Sequence, residues 1–222
     1  MNVVFAGGGT GGHLYPAIAI ADEMAGRGAT VSFVGTADRL EATIVPKAGY
    51  RLETISAAPL SRRVSISLAS GALANLFGTL QSFGVLRRLR PDVVVATGGY
   101  VSFPLVLAAR VLRTFGLSRA AIALLEPNAR PGLTNRLLAP LVDEVWGAFA
   151  QADPRFKGKY VRTGIPVRAS LRALPPRDAA VARLGLNPSR KTLLAMGGSQ
   201  GARTINDALA VLVKSDGLPP GW

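Results

Sequence analysis

The feature that most constrains the fold is a glycine-rich turn, Ala6 to His13, in which five of six consecutive residues are glycine. An apolar run precedes this turn, and apolar residues at helical spacing follow it: Leu14, Ala17, Ile18, Ala21 and Met24. A strand therefore passes into a helix through a loop that lets a ligand approach the backbone closely. The first N–H groups of a helix attract anions, so the turn predicts a phosphate- or diphosphate-binding loop.

Two other interpretations of this turn remain open. Gly7, Gly9 and Gly12 satisfy the G-x-G-x-x-G pattern of dinucleotide-binding enzymes. That pattern expects an acidic residue at the end of the second strand, whereas the predicted strand Thr30–Val34 is followed by no acid before Asp38. A nicotinamide- or flavin-dependent oxidoreductase is thus disfavoured but not excluded, and a tight turn without a ligand is the third interpretation.

Composition limits the chemistry that the chain can perform. The 222 residues are 49% hydrophobic, which suffices for a buried core. With no cysteine and one histidine, disulfides, thiolate catalysis and imidazole-rich metal sites are excluded.

The 26 Lys and Arg against 13 Asp and Glu give a net charge of +13, which indicates an anionic partner: nucleic acid, an acidic membrane surface or a phosphorylated substrate. No apolar stretch predicts a membrane span, and the N-terminus predicts a strand rather than a signal peptide, so we expect a cytoplasmic location.

Short apolar runs alternate with helical patterns through most of the chain. The predicted strands are Val3–Phe5, Thr30–Val34, Arg51–Ile55, Val93–Val95, Ala121–Leu125, Glu144–Trp146 and Lys159–Arg162. Parallel strands joined by right-handed crossovers form a doubly wound sheet. We therefore predict an α/β fold with the first strand in a central position.

Polar residues that could do chemistry follow three of these strands. His13 is a candidate general base or donor to a phosphate or sugar oxygen, and Thr97–Tyr100 form a second glycine loop. Glu126, at the end of the fifth strand with Asn128 beside it, is a candidate base or acceptor for a sugar hydroxyl. Ligands of open α/β sheets bind at this carboxyl edge. The alternatives are a structural histidine and an ordinary strand-to-helix turn.

The segment from Ser61 to Pro91 carries no acidic residue and is rich in leucine, phenylalanine and arginine. One interpretation is a helix over Ile66–Leu89 that packs on the sheet, with Arg87, Arg88 and Arg90 at the negative end of its dipole. The other is a partly exposed face that docks on anionic lipid. Glycines and a glutamine interrupt the apolar run, so such docking would be peripheral.

The opening pattern returns after a hinge predicted at Thr163–Arg168. Thr192–Met196 predicts an apolar strand, Gly197–Ala202 another glycine loop and Thr204–Val213 a helix. We therefore expect a first domain over residues 1–164 and a second over residues 165–222. A parallel sheet needs several covered strands, so we expect this second domain to be incomplete.

Five motifs in this order resemble the MurG family of glycosyltransferases, glycosyltransferase family 28. They are Gly8-Gly9-Thr10-Gly11-Gly12-His13, Thr97-Gly98-Gly99-Tyr100, Glu126-x-Asn128 with Pro131-Gly132-Leu133-Thr134-Asn135, Thr163-Gly164-x-Pro166-Val167-Arg168, and Gly197-Gly198-Ser199-Gln200-Gly201-Ala202. The resemblance implies a GT-B fold: a Rossmann-like, doubly wound N-terminal domain that binds acceptor and membrane, and the start of a Rossmann-like C-terminal domain that binds UDP-N-acetylglucosamine (UDP-GlcNAc).

The implied activity is inverting transfer of GlcNAc from UDP-GlcNAc to the C4 hydroxyl of N-acetylmuramic acid (MurNAc) in undecaprenyl-pyrophosphoryl-MurNAc-pentapeptide (lipid I). The product is lipid II of peptidoglycan synthesis. The implied partners are UDP-GlcNAc, lipid I, the anionic cytoplasmic face of the bacterial inner membrane and other proteins of cell-wall synthesis. Nucleic acid, cofactors and metal ions are not expected. The alternatives are the oxidoreductase and a non-catalytic protein that only binds acceptor or membrane.

The resemblance also implies a role for individual residues. His13 is the expected base, with Glu126 second. The expected contacts with UDP-GlcNAc are Thr10, Gly11, Gly12, Asn128, Arg168 and Ser199, and those with the acceptor diphosphate are Gly8, Gly9, Thr97, Gly98, Gly99, Tyr100 and Asn135. The chain departs from the family pattern at Leu125 and Pro127, where His and Gln are usual, and at Ile165, where Asn is usual. Because later donor-binding segments are not in this sequence, we expect weak donor binding by the 222-residue chain.

Overall fold

The computed structural model describes residues 1–59, 66–150, 153–197, 201–215 and 217, with residues 66–68 described as backbone only. The chain divides into two compact units, Met1–Ala169 and Ser170–Trp222, which are considered separately. The domain limits at residues 164 and 165 stay a prediction.

The first unit is built on a seven-stranded parallel sheet, which confirms the predicted α/β class. Its strands are β1 (Asn2–Ala6), β2 (Thr30–Gly35), β3 (Arg51–Thr54), β4 (Val93–Ala96), β5 (Ala121–Glu126), β6 (Glu144–Gly147) and β7 (Tyr160–Arg162). The helices between them are α1 (Gly11–Gly26), α2 (Leu40–Lys47), α3 (Ile66–Leu89), α4 (Ser102–Thr114) and α5 (Leu133–Leu138). The strand order is β3-β2-β1-β4-β5-β6-β7, and every neighbouring pair is parallel.

Alternate residues of the inner strands face two separate cores. Val3 and Phe5 of β1 belong to the core that includes Leu14 of α1, whereas Val4 belongs to the core that includes Leu105 of α4. Side chains alternate between the faces of a sheet, so helices on both faces explain why these strands are apolar throughout. The sheet is therefore doubly wound.

The order of the strands reverses beside β1. The chain moves from β1 outward to β2 and β3, and then returns to the other side of β1 to form β4. The loops that follow β1 and β4 leave the sheet in different directions, which opens a crevice at its carboxyl edge. This is where the sequence predicted a ligand.

Helix α3 has one buried face and one exposed apolar face. The buried positions include Ser82, Val85 and Leu86, whereas an apolar stripe, defined here as Leu73, Leu76, Phe77 and Leu80, is more than half exposed. The part of the predicted docking segment at residues 61–65 lies outside the described residues. No helix in the described part of the chain is long and apolar enough to cross a bilayer.

The second unit departs from its prediction in one element. The described residues of this unit form helices α6 (Arg177–Arg183) and α7 (Arg203–Lys214), but Thr192–Met196 is not a strand, and Leu194 and Met196 are exposed. The prediction of a strand there was wrong. A parallel strand needs a neighbour for its N–H and C=O groups, and the described residues of this unit offer no such neighbour.

Two glycines of α3 offer a test of this packing. A Cβ on Gly78 would overlap the carbonyl oxygen of Ser56, while a Cβ on Gly84 would meet nothing within 4 Å. We expect Gly78→Ala to destabilise the protein by about 1–3 kcal/mol through overpacking. Gly84→Ala should stabilise it by about 0.5–1 kcal/mol, because alanine has less conformational entropy to lose in a helix.

Urea unfolding followed by circular dichroism measures both changes. Equal effects of the two substitutions would contradict the close approach of α3 to the segment after β3.

Candidate active site

The two predicted glycine loops lie against each other at the carboxyl edge of the sheet. A Cβ on Gly99 would overlap the carbonyl oxygen of Gly8, and one on Gly7 would overlap the hydroxyl of Thr97. Gly99 also has a φ of +79°, a conformation that other residues rarely adopt. Glycine at these positions therefore lets the loops after β1 and β4 form one wall.

Two buried hydroxyl groups hold this wall together. Thr97 Oγ1 donates to the carbonyl oxygen of His13 (2.8 Å), which ties the end of β4 to the first turn of α1. Ser102 Oγ lies 3.0 Å from the carbonyl oxygen of Ala6 and 2.8 Å from that of Gly98. The Thr97 hydroxyl thus has a structural partner, and its predicted contact with an acceptor diphosphate stays a prediction.

His13 lies between the two loops. Its Nδ1 is 3.1 Å from Thr10 Oγ1 and 3.4 Å from the carbonyl oxygen of Gly8. A Cβ on Gly98 would lie 3.1 Å from Nε2, so the imidazole packs on the second loop. With the proton on Nδ1, that atom donates to Gly8 and Nε2 is left as a proton acceptor.

Burial lowers the pKa of His13, and this outweighs the opposing effects of the Gly8 carbonyl and the charge of Glu126. The imidazole is therefore neutral at pH 7. A neutral imidazole with a free ring nitrogen is suited to accept a proton from a hydroxyl group.

Glu126 is also buried, but its carboxylate is fully occupied. Oε1 accepts hydrogen bonds from the backbone N–H and the side-chain amide of Asn128, both at 2.9 Å. Oε2 accepts from the N–H of Gly132 (3.2 Å) and from the amide of Asn135 (2.8 Å). A carboxylate has about four acceptor sites, so a substrate proton would have to displace one of these donors. Glu126 fixes the loop between β5 and α5, which favours His13 as the base.

The sequence analysis missed a second buried carboxylate, that of Glu41. Its Oε2 accepts the N–H of Gly9 (3.0 Å), and its Oε1 accepts the N–H and the hydroxyl of Thr36 (3.1 and 2.8 Å). A Cβ on Gly8 would lie 2.6 Å from Oε1. Glu41 thus supports the glycine loop that follows β1. Its position four residues before the buried Val45 places it on the core-facing side of α2, which was a signal available in the sequence.

A cavity of about 260 Å³ brings many of the predicted residues together. Six of them line it: His13, Gly99, Tyr100, Glu126, Asn128 and Asn135. Burial raises the pKa of Tyr100, so its phenol is protonated. Asn135 Oδ1 is buried and has no hydrogen-bond partner among the described residues, which leaves an acceptor for a ligand.

Three other predicted residues, Thr10, Gly11 and Gly12, lie at the start of α1. The N–H groups of Thr10, Gly11 and Gly12 have no hydrogen-bond partner within the described residues, whereas that of Gly9 is bonded to Glu41.

Arg168 is placed close to this turn by an aromatic residue of α1. Its guanidinium stacks on the ring of Tyr15, 4.6 Å from the centroid. A Cβ on Gly11 would meet that same ring at 3.1 Å, so Tyr15 lies between Arg168 and the start of the helix. Ser199 lies outside the described residues.

Glu41 generates a prediction about stability. In Glu41→Gln the amide group replaces one of two acceptor oxygens, so either Gly9 or Thr36 loses its acceptor. An unsatisfied buried donor costs about 1–3 kcal/mol. Glu23→Gln, which breaks an exposed pair with Arg27, should cost less than about 1 kcal/mol. Urea unfolding compares them, and equal stability of the two variants would refute the role given to Glu41.

Comparison with protein families and known proteins identifies the family and agrees with the fold. Residues 3–146 match the family described as glycosyltransferase family 28 N-terminal domain. A protein of Halothermothrix orenii is 42% identical over 213 residues, and one of Moorella thermoacetica is 44% identical over 218. Both are named UDP-N-acetylglucosamine–N-acetylmuramyl-(pentapeptide) pyrophosphoryl-undecaprenol N-acetylglucosamine transferase. The matches cover 94% and 96% of this chain, and the chain spans 56% and 57% of the length of these curated relatives.

Solved structures extend the likeness to three dimensions. The crystal structure of MurG from Acinetobacter baumannii matches with a TM-score of 0.70 and 25% identity, over 98% of this chain and 58% of that one. UDP-GlcNAc 2-epimerase from Neisseria meningitidis, bound to UDP-GlcNAc, matches with a TM-score of 0.56 and 14% identity, over 96% of this chain and 54% of that one, which is a likeness of fold alone. The matches favour a glycosyltransferase over the oxidoreductase, and the chain belongs to glycosyltransferase family 28.

Proposed function

We propose that this chain carries the acceptor site and the catalytic base of an enzyme that transfers GlcNAc from UDP-GlcNAc to lipid I and so forms lipid II. The observation that carries the proposal is the neutral, partly buried His13 in a cavity at the carboxyl edge of the sheet. The names of the relatives support the substrates. Because the chain spans little more than half of their length, we propose the complete reaction for this chain joined to the C-terminal part of such a relative.

The backbone at the start of α1 provides the anion site. The unpaired N–H groups of Thr10, Gly11 and Gly12 lie at the positive end of the helix dipole. Arg168, stacked on Tyr15 of the same helix, adds a positive charge nearby. We assign the diphosphate of UDP-GlcNAc to this turn, and the diphosphate of the acceptor to the second loop, Thr97–Tyr100.

His13 performs the proton transfer in this proposal. As the C4 hydroxyl of the acceptor attacks the anomeric carbon of GlcNAc, Nε2 takes the hydroxyl proton and UDP leaves from the opposite face, so the configuration inverts. Nδ1 donates to the carbonyl oxygen of Gly8 and holds the ring in place. The carboxylate of Glu126 stabilises the imidazolium that forms, since its charge favours the protonated ring.

The exposed face of α3 provides the attachment to the membrane. The apolar stripe lies on one side of this helix, and Arg87 and Arg88 follow in its last turn. Apolar side chains flanked by arginines are typical of a helix that lies in the interface of an anionic bilayer. We propose that the stripe docks on the cytoplasmic face of the inner membrane, where a lipid-linked acceptor is available.

Replacement of His13 tests the catalytic role. In a protein made by joining this chain to the C-terminal part of the Moorella thermoacetica relative, we expect transfer from UDP-GlcNAc to a short-chain lipid I analogue in detergent. His13→Ala should lower kcat by about 10²–10⁴-fold, the usual contribution of a general base. Because burial lowers the pKa of His13, kcat/KM should fall with acid only below pH 6.5, and this fall should be absent from the variant.

Glu126→Gln is the companion variant. This substitution keeps the size of the side chain but replaces one acceptor oxygen by an amide group, so some of the surrounding donors lose their acceptor. We therefore expect a higher KM and a smaller loss of kcat than in His13→Ala. If His13→Ala keeps its turnover while Glu126→Gln loses it, the base has been assigned to the wrong residue. If the unmodified joined protein binds anionic vesicles without any transfer, the non-catalytic alternative is correct.

The apolar stripe generates a prediction about membrane binding. Leu76→Ser with Leu80→Ser removes exposed side chains, so stability should change by less than about 0.5 kcal/mol. Binding to anionic vesicles should weaken by roughly tenfold, because apolar area inserted into the bilayer is lost. The control is Leu40→Ser with Leu137→Ser, two exposed leucines on other helices. Cosedimentation with vesicles measures both, and equal binding by the two double variants would refute docking through α3.

A further inference from the structure

The side-chain amide of Asn135 has an oxygen atom that the described part of the fold does not use. Asn135 lies on α5, is 4% exposed and lines the cavity that contains His13. Its Nδ2 donates to the carbonyl oxygen of Leu125 (3.2 Å) and to Glu126 Oε2 (2.8 Å). An amide nitrogen carries two hydrogens, so both are engaged. Oδ1 is buried and has no partner among the described residues.

The neighbours of Asn135 fix which end of its amide is the oxygen. A backbone carbonyl can only accept a hydrogen bond, so the atom that faces Leu125 must be the nitrogen. Turning the amide end for end would set its oxygen against two acceptors, those of Leu125 and Glu126. The unpaired atom is therefore an acceptor, and buried polar groups without a partner are rare enough to need an explanation.

Oδ1 of Asn135 and Nε2 of His13 lie close to one point of the second glycine loop. A Cβ on Gly98 would lie 3.1 Å from Nε2 and 3.4 Å from Oδ1. With the proton of the imidazole on Nδ1, both of these atoms are hydrogen-bond acceptors. A hydroxyl group carries a single proton, so a ligand that satisfies both atoms must present two donors a short distance apart.

The chemistry of Oδ1 disfavours a phosphate as its partner. Phosphate oxygens are acceptors, and the two N–H groups of Asn135 that could bind them are already engaged. The contact with the acceptor diphosphate that the resemblance implies for Asn135 would thus require the loss of a bond to Leu125 or Glu126. A hydroxyl or an amide N–H of the ligand fits Oδ1 without such a loss.

The acceptor sugar of the proposed reaction has such a donor beside its reacting hydroxyl. The carbon that bears this hydroxyl, C4 of MurNAc, is flanked in the ring by C3 and C5. The oxygen on C3 is an ether to the lactyl group and carries no proton, whereas C5 bears the hydroxymethyl group of C6. The N–H of the 2-acetamido group lies beyond C3. The C6 hydroxyl is therefore the donor that adjoins the C4 hydroxyl.

We propose that Asn135 Oδ1 accepts a hydrogen bond from the C6 hydroxyl of MurNAc while the C4 hydroxyl donates to His13 Nε2. This assignment rests on the proposed function and adds to it a residue that selects the acceptor sugar. The two hydrogen bonds hold the ring so that the C4 oxygen faces the anomeric carbon of the donor. Asn135 determines specificity because its buried oxygen stays unpaired unless the sugar carries a donor at C6.

The test compares three short-chain lipid I analogues as acceptors for the joined protein described above. They carry a hydroxyl, a fluorine or an amino group at C6. Fluorine is close in size to a hydroxyl group but has no proton to donate, so it should lower kcat/KM by about 10–100-fold by leaving Oδ1 unpaired. The amino group restores a donor and should keep kcat/KM within about threefold of the hydroxyl analogue.

Asn135→Ala and Asn128→Ala are matched variants for this comparison. Each removes an amide that donates to the carboxylate of Glu126, but only Asn135→Ala removes the oxygen assigned to C6. The preference for hydroxyl over fluorine should fall below about threefold in Asn135→Ala and be retained in Asn128→Ala. Loss of folded protein lowers kcat/KM equally for both analogues, so the ratio reports the hydrogen bond. The comparison of fluorine with the amino group needs no variant.

The outcomes separate this inference from the proposed function. If the joined protein transfers no GlcNAc to the hydroxyl analogue, both fail. If it uses the hydroxyl and fluorine analogues equally well, the transfer reaction stands and the role of Asn135 is refuted. The same preference in the joined protein and both variants would assign the C6 hydroxyl to another residue, which also overturns the inference.

A further analogue tests the remaining donor of the sugar. An ester in place of the 2-acetamido group has no N–H, and its use as an acceptor should respond equally to Asn135→Ala and Asn128→Ala. If Asn135→Ala alone removes the discrimination against this ester, Oδ1 binds the acetamido N–H and the assignment to C6 is wrong.

Discussion

The close contact between the loops after β1 and β4 is the constraint on which the site depends. Gly8 and Gly99 meet with no room for a side chain, and the hydroxyl of Thr97 bonds to the carbonyl oxygen of His13. The sheet brings these loops together because β1 and β4 are parallel neighbours. The histidine is therefore held by backbone and hydroxyl contacts that come from the architecture of the sheet, before any substrate binds.

Two buried carboxylates fix the loops that border the site. Glu41 accepts from the loop after β1, and Glu126 accepts from the loop that leads to α5. A buried charge is tolerated only when hydrogen bonds satisfy it, and both groups meet this condition. Their oxygens are thereby unavailable to a substrate proton. In the described part of the cavity, His13 combines a neutral form with an accessible ring nitrogen.

Much of this organisation could be predicted from the sequence. Apolar runs predicted the seven strands of the first unit, and glycine patterns predicted the two loops at the carboxyl edge of the sheet, because both are local properties. The sequence could not show that hydrogen bonds occupy the carboxylate of Glu126. Its donors lie in the following loop, whose path depends on tertiary packing. The strand expected at Thr192–Met196 failed for a related reason: its sequence has the right pattern, but pairing requires a neighbour that the pattern does not specify.

Between Leu73 and Ser82, helix α3 buries polar side chains and exposes apolar ones, the reverse of an ordinary surface helix. Its buried side includes Asn75, whose amide exchanges two hydrogen bonds of 3.1 Å with the backbone of Ala58. Thr79 and Ser82 are buried too, and each donates to a carbonyl oxygen one turn earlier. The hydroxyl and amide groups are thus satisfied inside, while Leu73, Leu76, Phe77 and Leu80 face outward.

Water alone would favour the reverse arrangement, because exposed apolar area costs free energy. Contact with the apolar interior of a bilayer would remove this free-energy cost. The outward-facing apolar side chains of α3 are therefore consistent with the bilayer docking proposed for this helix. The stability of the sheet that α3 covers does not explain them.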